Sequence, residues 1–484
     1  MDLLWGLGGM IVLLAIAVLL STNRKAIKLR TVAAALALQM GFGVIVLYWS
    51  AGEFALEQAT KGVQAVINSS NEGIGFVFGP AIPEEGLVFA FQVLTVIIFF
   101  ASLSAVLYHL GILQKVVQFL GGGIAWLLGT KRAESVNAAA NIFVGQTEAP
   151  LVIKPYVKGL SRSGLFAVMV GGLSTVAGSV LVGYSLLGAP LEYLIAASFM
   201  AAPGALLMAK IILPETADDV PVDAATGEKV AVGASADARS ANASDNSNDQ
   251  AMSASSGGSS ALRASGDSET GERGSDDSAA RDSGSNDSGS NYDDADRARS
   301  GDELDTADED EMGYRNVIDA AASGASEGLK LALNIGAMLL AFISLIALLN
   351  LFIGLVGGWF GLESLTFEQI LGYVFAPIMF AIGVGWDEAV QAGSFVGQKV
   401  VVNEFVAFAD FAPQIESFTP KTAAIITFAL TGFANLGSLG ILLGGLGGIA
   451  PGRRREIAEL GLRAIAAATL ANLMSAAIAG ILIG

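Results

Sequence analysis

Apolar residues fill long, nearly unbroken stretches of this chain, and short polar stretches separate them. Runs at about 3–20, 31–50, 88–109, 164–186, 190–212, 331–356, 421–448 and 457–483 approach or exceed the ~20 residues that cross a hydrocarbon core as a helix. Two further apolar regions, 133–160 and 370–411, carry polar residues in their middle. Each is expected to enter a membrane and return. Backbone that leaves helical geometry at that depth is tolerated only where protein or a cavity covers it. The pattern predicts an all-α polytopic membrane protein with eight transmembrane helices plus two opposed re-entrant hairpins in an inverted repeat.

Composition agrees with this reading. Hydrophobic residues make up 53% of the 484 positions and the mean hydropathy is +0.60; a soluble enzyme of this length would carry far more charge. The net charge of −18 is local, because residues 214–312 hold 25 acidic and 7 basic side chains and the rest hold 20 of each. That segment is rich in Ser, Gly, Asp, Ala and Asn, cannot bury enough apolar surface to offset ordering entropy, and is expected to be a disordered acidic loop. Basic residues elsewhere orient the chain. Arg24 to Arg30, Lys131-Arg132, Lys154 to Arg162, Lys210, Lys330 and Arg453-Arg454-Arg455 fall on one side, while Lys61 and Lys421 share the other with Glu53, Glu57, Glu72, Glu84 and Glu85. The positive-inside rule then puts the N-terminus outside and the acidic loop in the cytoplasm. The basic residues follow the first apolar run instead of preceding it, unlike a signal peptide. With no Cys, neither a disulfide nor a thiolate metal site is possible. The single His, His109, is expected to be a polar residue at a helix end.

Two interrupted segments read alike. One is Asn141-Ile142-Phe143-Val144-Gly145-Gln146-Thr147-Glu148 and the other is Asn403-Glu404-Phe405-Val406-Ala407. Each sets a carboxylate inside an apolar tract, which is costly and marks a functional site. Each is followed, some 35–40 residues on, by a small-polar cluster in an apolar run: Ala177-Gly178-Ser179-Val180-Leu181 and Leu436-Gly437-Ser438-Leu439-Gly440. Gly and Ser let backbones approach and ease a break in a helix. The parallel placement favours broken helices lining a site between two repeats.

The polar groups suit recognition of a polar solute. Gln146, Thr147 and Glu148 offer an amide, a hydroxyl and a carboxylate in succession, before Pro150. Glu404, Asn435 and Ser438 add further groups, and Phe433 a ring that could pack on a planar ligand. Neither carboxylate belongs to a nucleophile–base arrangement or a zinc signature, so no catalytic residue and no enzyme is expected. The structural alternative is a buried ion pair of Glu with Lys154 or Lys399. Asn141, Val144, Thr175 and Val176 could supply hard oxygens for a monovalent cation such as sodium, although no short pattern defines such a site.

These residues carry a resemblance. Asn141 to Leu151 closely resembles the first hairpin motif of the concentrative nucleoside transporter family, and Asn403 to Ala407 the second. Gly432-Phe433-Ala434-Asn435-Leu436-Gly437-Ser438-Leu439-Gly440-Ile441 and Ala196 to Pro203 are similar to further family motifs. The match covers roughly 85–213 and 315–483. Leu436-Gly437 departs from the family's Phe-Ser, and the long acidic loop from its short connection.

The resemblance implies a symporter coupling inward sodium movement, or in some members proton movement, to nucleoside uptake, usually as a homotrimer in the plasma membrane. It implies nucleoside contacts at Gln146, Thr147, Glu148, Val180, Glu404, Phe433, Asn435 and Ser438. Glu404, Asn435 and Ser438 would face the ribose, and the first-hairpin residues the base. It implies sodium ligands at Asn141, Val144, Thr175 and Val176, largely through backbone oxygens. Positions matching Gly145, Ser179 and Val180 bear on base choice, and Gly145 suggests both purine and pyrimidine nucleosides. The expected division is 1–130 scaffold helices, 131–213 the first hairpin and following helices, 214–312 the acidic loop, 313–369 an interfacial segment and a long scaffold helix, and 370–484 the second hairpin and following helices. Sodium is the coupling ion, the lipid bilayer the surrounding, no other cofactor is expected, and nucleic acid is not an expected partner. The rival readings are a proton-coupled nucleoside symporter and a channel or receptor with a buried polar solute site.

Overall fold

In an apolar surrounding a backbone must satisfy its own N–H and C=O groups, and a helix does so within one segment. The computed structural model describes residues 2–81, 88–216, 314–362 and 365–484, and among them every regular element is helical. The chain divides into two units, residues 1–232 with 312–484, and residues 233–311; only the first contains described residues. The acidic loop expected over 214–312 therefore lies outside the described residues apart from its first three positions, as do Glu84 and Glu85.

The first half runs through α1 (Asp2–Leu19), α2 (Leu29–Leu47), α3 (Ser50–Phe78), α4 (Phe89–His109) and α5 (Ile112–Leu128). A short α6 (Arg132–Ala140), a turn, a 3-10 segment (Ala149–Ile153) and α7 (Lys154–Val157) occupy the first interrupted region. Next come α8 (Arg162–Ser174), α9 (Gly178–Leu186) and α10 (Leu191–Ile212). The second half holds α11 (Val317–Gly358), α12 (Phe367–Ala381), α13 (Trp386–Val401), α14 (Glu404–Phe411), α15 (Pro420–Leu430), α16 (Leu436–Ile449) and α17 (Arg454–Ile483).

By length and composition, six helical stretches could cross a membrane: α2, α4, α8 with α9, α10, α11, and α17 with the turn before it. The run expected at 3–20 forms α1, 18 residues long, and the run expected at 421–448 is divided by the non-helical residues 431–435 between α15 and α16. The region expected as a hairpin at 370–411 contains three helices. Its sharp bend, 118°, lies between α12 and α13, while Asn403 stands at the next break, between α13 and α14. Two helices lie outside the runs read as spans. In α3, Glu53, Glu57, Lys61 and Glu72 interrupt the apolar positions, so no continuous run forms; in α5, Gln114, Lys115 and Gln118 do the same.

Burial separates the long helices. The apolar windows of α8–α9 and α10 are 94% and 89% buried, so these helices are central, whereas that of α11 is 6% buried and most of its leucines are exposed. The first interrupted region is pinned to this centre. Lys210 at the end of α10 pairs at 2.7 Å with Glu134 on α6, both buried, and donates at 3.2 Å to Ser163. Arg453 donates to the carbonyls of Leu160 at 2.6 Å and Val157 at 3.3 Å.

The outer helix α11 packs on α4 through glycines. A Cβ on Gly328 would lie 2.8 Å from Ile98 Cα and 2.8 Å from Ala101 Cβ, and one on Gly324 would lie 2.7 Å from Ala105 Cβ. Replacing Gly328 by Leu is expected to force the helices apart at a cost of about 1–3 kcal/mol, the usual range for overpacking. Thermal unfolding of the purified variant in detergent checks this, and an unchanged midpoint would contradict the close approach.

Candidate functional site

Two helices in the centre are broken, and the breaks meet. Between α8 and α9 the chain extends through Thr175–Ala177, and between α15 and α16 through residues 431–435. Phe433 N–H donates to Thr175 O at 3.2 Å, joining one break to the other. Gly432, at φ +157°, sits at the crossing, and a Cβ there would lie 2.8 Å from both Ser174 O and Asn472 Nδ2. The carbonyls left over at the ends of α8 and α15 need partners. Asn472 of α17 supplies them, with Nδ2 donating to Ser174 O at 2.7 Å and Thr431 O at 2.8 Å. Its Oδ1 accepts from Lys399 Nζ at 2.7 Å, and Lys399 also donates to Ala429 O at 2.7 Å.

The turn after α6 packs against the first break. Gly178 N–H donates to Phe143 O at 3.1 Å. Glu148 folds back on its own turn, its carboxylate accepting from Gly145 N–H at 2.7 Å. Asn141 Nδ2 donates to Asn137 O at 2.8 Å, while Asn141 Oδ1 is buried without a hydrogen-bond donor, as is Gln146 Oε1. The second motif uses its asparagine as a helix cap. Asn403 Oδ1 accepts from Val406 N–H at 2.8 Å and starts α14. Asn435 does the same for α16, accepting from Ser438 N–H at 2.8 Å.

Glu404 lies at the start of α14, where the partial positive charge of a helix N-terminus favours a carboxylate. Tyr184 O–H donates to its Oε1 at 3.1 Å and Asn435 Nδ2 to its Oε2 at 2.8 Å. These donors, and the Lys399 bonds to Ala429 O and Asn472, replace the Glu404–Lys399 ion pair weighed from sequence. Tyr184 was missed at that stage; its only signal was a hydroxyl-bearing ring in the otherwise apolar run of α9. Its ring stacks on Phe408 with centroids 4.4 Å apart and meets Phe405 edge-on, which fixes the hydroxyl.

Together these parts enclose a cavity of about 680 Å³. Gln146, Thr147, Glu148, Val180, Glu404, Phe433, Asn435 and Ser438 all line it, as do Gly145 and Ser179. Of the four residues expected at a cation site, Val144 borders the cavity, and Asn141, Thr175 and Val176 are buried. The unpartnered Asn141 Oδ1 faces the last turn of α8, lying 3.8 Å from where a Cβ of Gly172 would be. Such neutral oxygens suit a hard monovalent cation. Among the described residues no group of three or more His, Cys, Asp or Glu could hold a metal. The far wall, from α4 and α11, presents Tyr108, Glu327, Lys330 and Asn334 and was not anticipated. His109 is at the C-terminal end of α4, its ring edge-on to Tyr314 at 6.4 Å.

Comparison with known proteins gives this arrangement a family. Residues 8–81 match the family model described as Na+ dependent nucleoside transporter N-terminus, 90–191 that described as nucleoside recognition, and 286–480 that described as Na+ dependent nucleoside transporter C-terminus. The nucleoside permease NupC of Helicobacter pylori is 40% identical over 493 residues, covering 99% of this chain and 98% of the relative. The chain belongs to the concentrative nucleoside transporter family. An uncharacterized transporter, YutK of Bacillus subtilis, is 48% identical over 484 residues and 100% of both chains. The solved structure of CNTnw in an inward-facing substrate-bound state is 44% identical with a TM-score of 0.79, covering 100% of this chain and 98% of that one. A CNTnw variant in an outward-facing state is 43% identical with the same TM-score and coverage. Concentrative nucleoside transporters are membrane proteins and not enzymes, in keeping with the apolar helices here and with relatives described as permeases and transporters.

Asn435 has two jobs in this family member, capping α16 and donating to Glu404. Asn435→Ala is expected to lose both, at about 2 kcal/mol or more for a buried cap plus a hydrogen bond to a carboxylate. The midpoint of thermal unfolding should fall, and a midpoint equal to wild type would remove the structural role given to this residue.

Proposed function

We propose that this chain is a sodium/nucleoside symporter that works by alternating access. The observation that carries the reading is the convergence of eight residues from two turns and two helix breaks on one cavity. The family models named for Na+ dependent nucleoside transport, the permease name of the relative, and the inward- and outward-facing states of CNTnw support it.

In this reading Glu404, Asn435 and Ser438 take the ribose hydroxyls. Glu404 is held for that task by Tyr184 and Asn435. Gln146, Thr147 and Glu148 meet the base, with Phe433 and Val180 as apolar neighbours, and Gly145 leaves room for purine and pyrimidine alike. A bound solute draws the Glu148 carboxylate from Gly145 N–H toward its own donors. Sodium is cargo, held by Asn141, Val144, Thr175 and Val176 where the first turn meets the break of α8–α9. Sodium there ties the turn to the break and raises nucleoside affinity by linkage.

Residues 131–213 and 370–484 form the moving halves, with Asn141 and Asn403 in two opposed re-entrant hairpins. Residues 1–130 and 313–369 form the scaffold of a plasma-membrane homotrimer with eight spans per chain, the N-terminus outside and the acidic loop inside. Each sodium moving down 100 mV contributes ~2.3 kcal/mol to accumulation.

Proteoliposome uptake of labelled uridine and adenosine, crossing sodium and proton gradients, tests the coupling. Uptake above equilibrium is expected with an inward sodium gradient. Uptake driven by a pH gradient without sodium would turn the reading to protons, and conductance without accumulation would turn it to a channel. Glu404→Gln is expected to weaken uridine binding about tenfold, the equivalent of 1.4 kcal/mol. Unchanged binding would take Glu404 out of ribose recognition.

A further inference from the structure

The two repeats treat one position differently. Four residues before Asn403 stands Lys399, and four residues before Asn141 stands Asn137. Both side chains are wholly buried. The Lys399 ammonium reaches Ala429 O, in the last turn of α15, and through the Asn472 amide it is linked to Thr431 O and to Ser174 O, the last carbonyl of α8. Each helix C-terminus carries roughly half a negative charge. Two such ends brought to one point in a low-dielectric interior repel, and a cation beside them, with the Asn472 amide bridging them, lowers that cost.

The first repeat has no ammonium at the matching place. Asn137 Oδ1 and Nδ2 are buried without partners, and so is Asn141 Oδ1. Both amides crowd the last turns of α8, with Asn137 Nδ2 3.3 Å and Asn141 Nδ2 3.5 Å from where a Cβ of Gly171 would be. Unsatisfied buried amides cost free energy that a ligand can return. One repeat thus carries its positive charge on a side chain, and the other carries polar oxygens that await one.

We propose that Lys399 is the resident cation of the second repeat, filling the place that an exchangeable monovalent cation takes in the first and restricting the chain to one exchangeable cation site. The proposal rests on the sodium reading for the exchangeable cation of the first repeat. Lys399 makes the α8–α15 junction independent of external sodium, while the turn at Asn141 stays dependent on it.

Equilibrium binding of radioactive sodium to the full-length protein in detergent, with uridine present, tests this. Lys399→Ala is expected to bind about one more sodium per chain than wild type, and its uridine affinity should depend on sodium more steeply. The same sodium count and the same steepness as wild type would overturn the proposal. Asn137→Lys places an ammonium in the first repeat and should bind about one sodium fewer, with uridine affinity in sodium-free buffer close to that of wild type in sodium. Retained sodium dependence in Asn137→Lys would overturn it equally, should Lys399→Ala fail to fold. Two sodium ions on wild type would also overturn it. No sodium on wild type would instead refute the cation site of the first repeat, and the increment on Lys399→Ala would then decide the role of Lys399 by itself.

Discussion

Backbone groups freed from a helix inside an apolar body must find partners or the break cannot exist. This protein breaks its central helices repeatedly, and the breaks are closed both by local caps at Asn403 and Asn435 and by groups from elsewhere in the chain. Thr175 O takes the N–H of Phe433, Phe143 O takes that of Gly178, and Asn472 takes the ends of α8 and α15. Because Phe433 and Gly178 each lie at a break and Asn472 of the unbroken α17 bonds to two of them at once, the breaks are drawn to one place. A largely apolar cavity on which a few polar groups converge follows from that gathering.

The remainder of the fold serves this centre. α8, α9 and α10 are buried on nearly every side, and small residues let them approach closely. The buried Lys210–Glu134 pair fixes the first interrupted segment at its start, and Arg453 fixes it at its end. Each charge has a partner, as a buried charge must. α11 stays outside, with most of its apolar side chains exposed.

Much of this was legible in the sequence. Unbroken apolar runs mark the long helices, and the paired Asn-x-Phe-Val stretches and Gly-Ser clusters mark the turns and breaks that border the cavity. The amphipathic α3 and the short α5 escaped, because polar side chains on one face hide a helix from a search for runs. The bend between α12 and α13 escaped because both limbs read as one apolar region. Tyr184 and Asn472 escaped for another reason, and so did the partners of Lys399, which the sequence suggests only as an ion-pair partner of a Glu. The bonded groups lie 220, 73 and 298 positions apart, and no local pattern reports such pairings.

The Glu404 carboxylate is already half used. A carboxylate offers about four lone-pair directions, and Tyr184 and Asn435 occupy one on each oxygen. Glu404 lines the cavity, and in the proposed function a solute meets only what those two donors leave of its acceptor capacity. A hydroxyl arriving along a direction left open completes the set, while a molecule of the same size with a carbon there strips water from the open lone pairs and returns nothing. In the proposed function, selectivity is written by the vacancies the pocket's own donors leave, so Phe408, stacked on Tyr184 away from the cavity lining, helps decide which solutes enter.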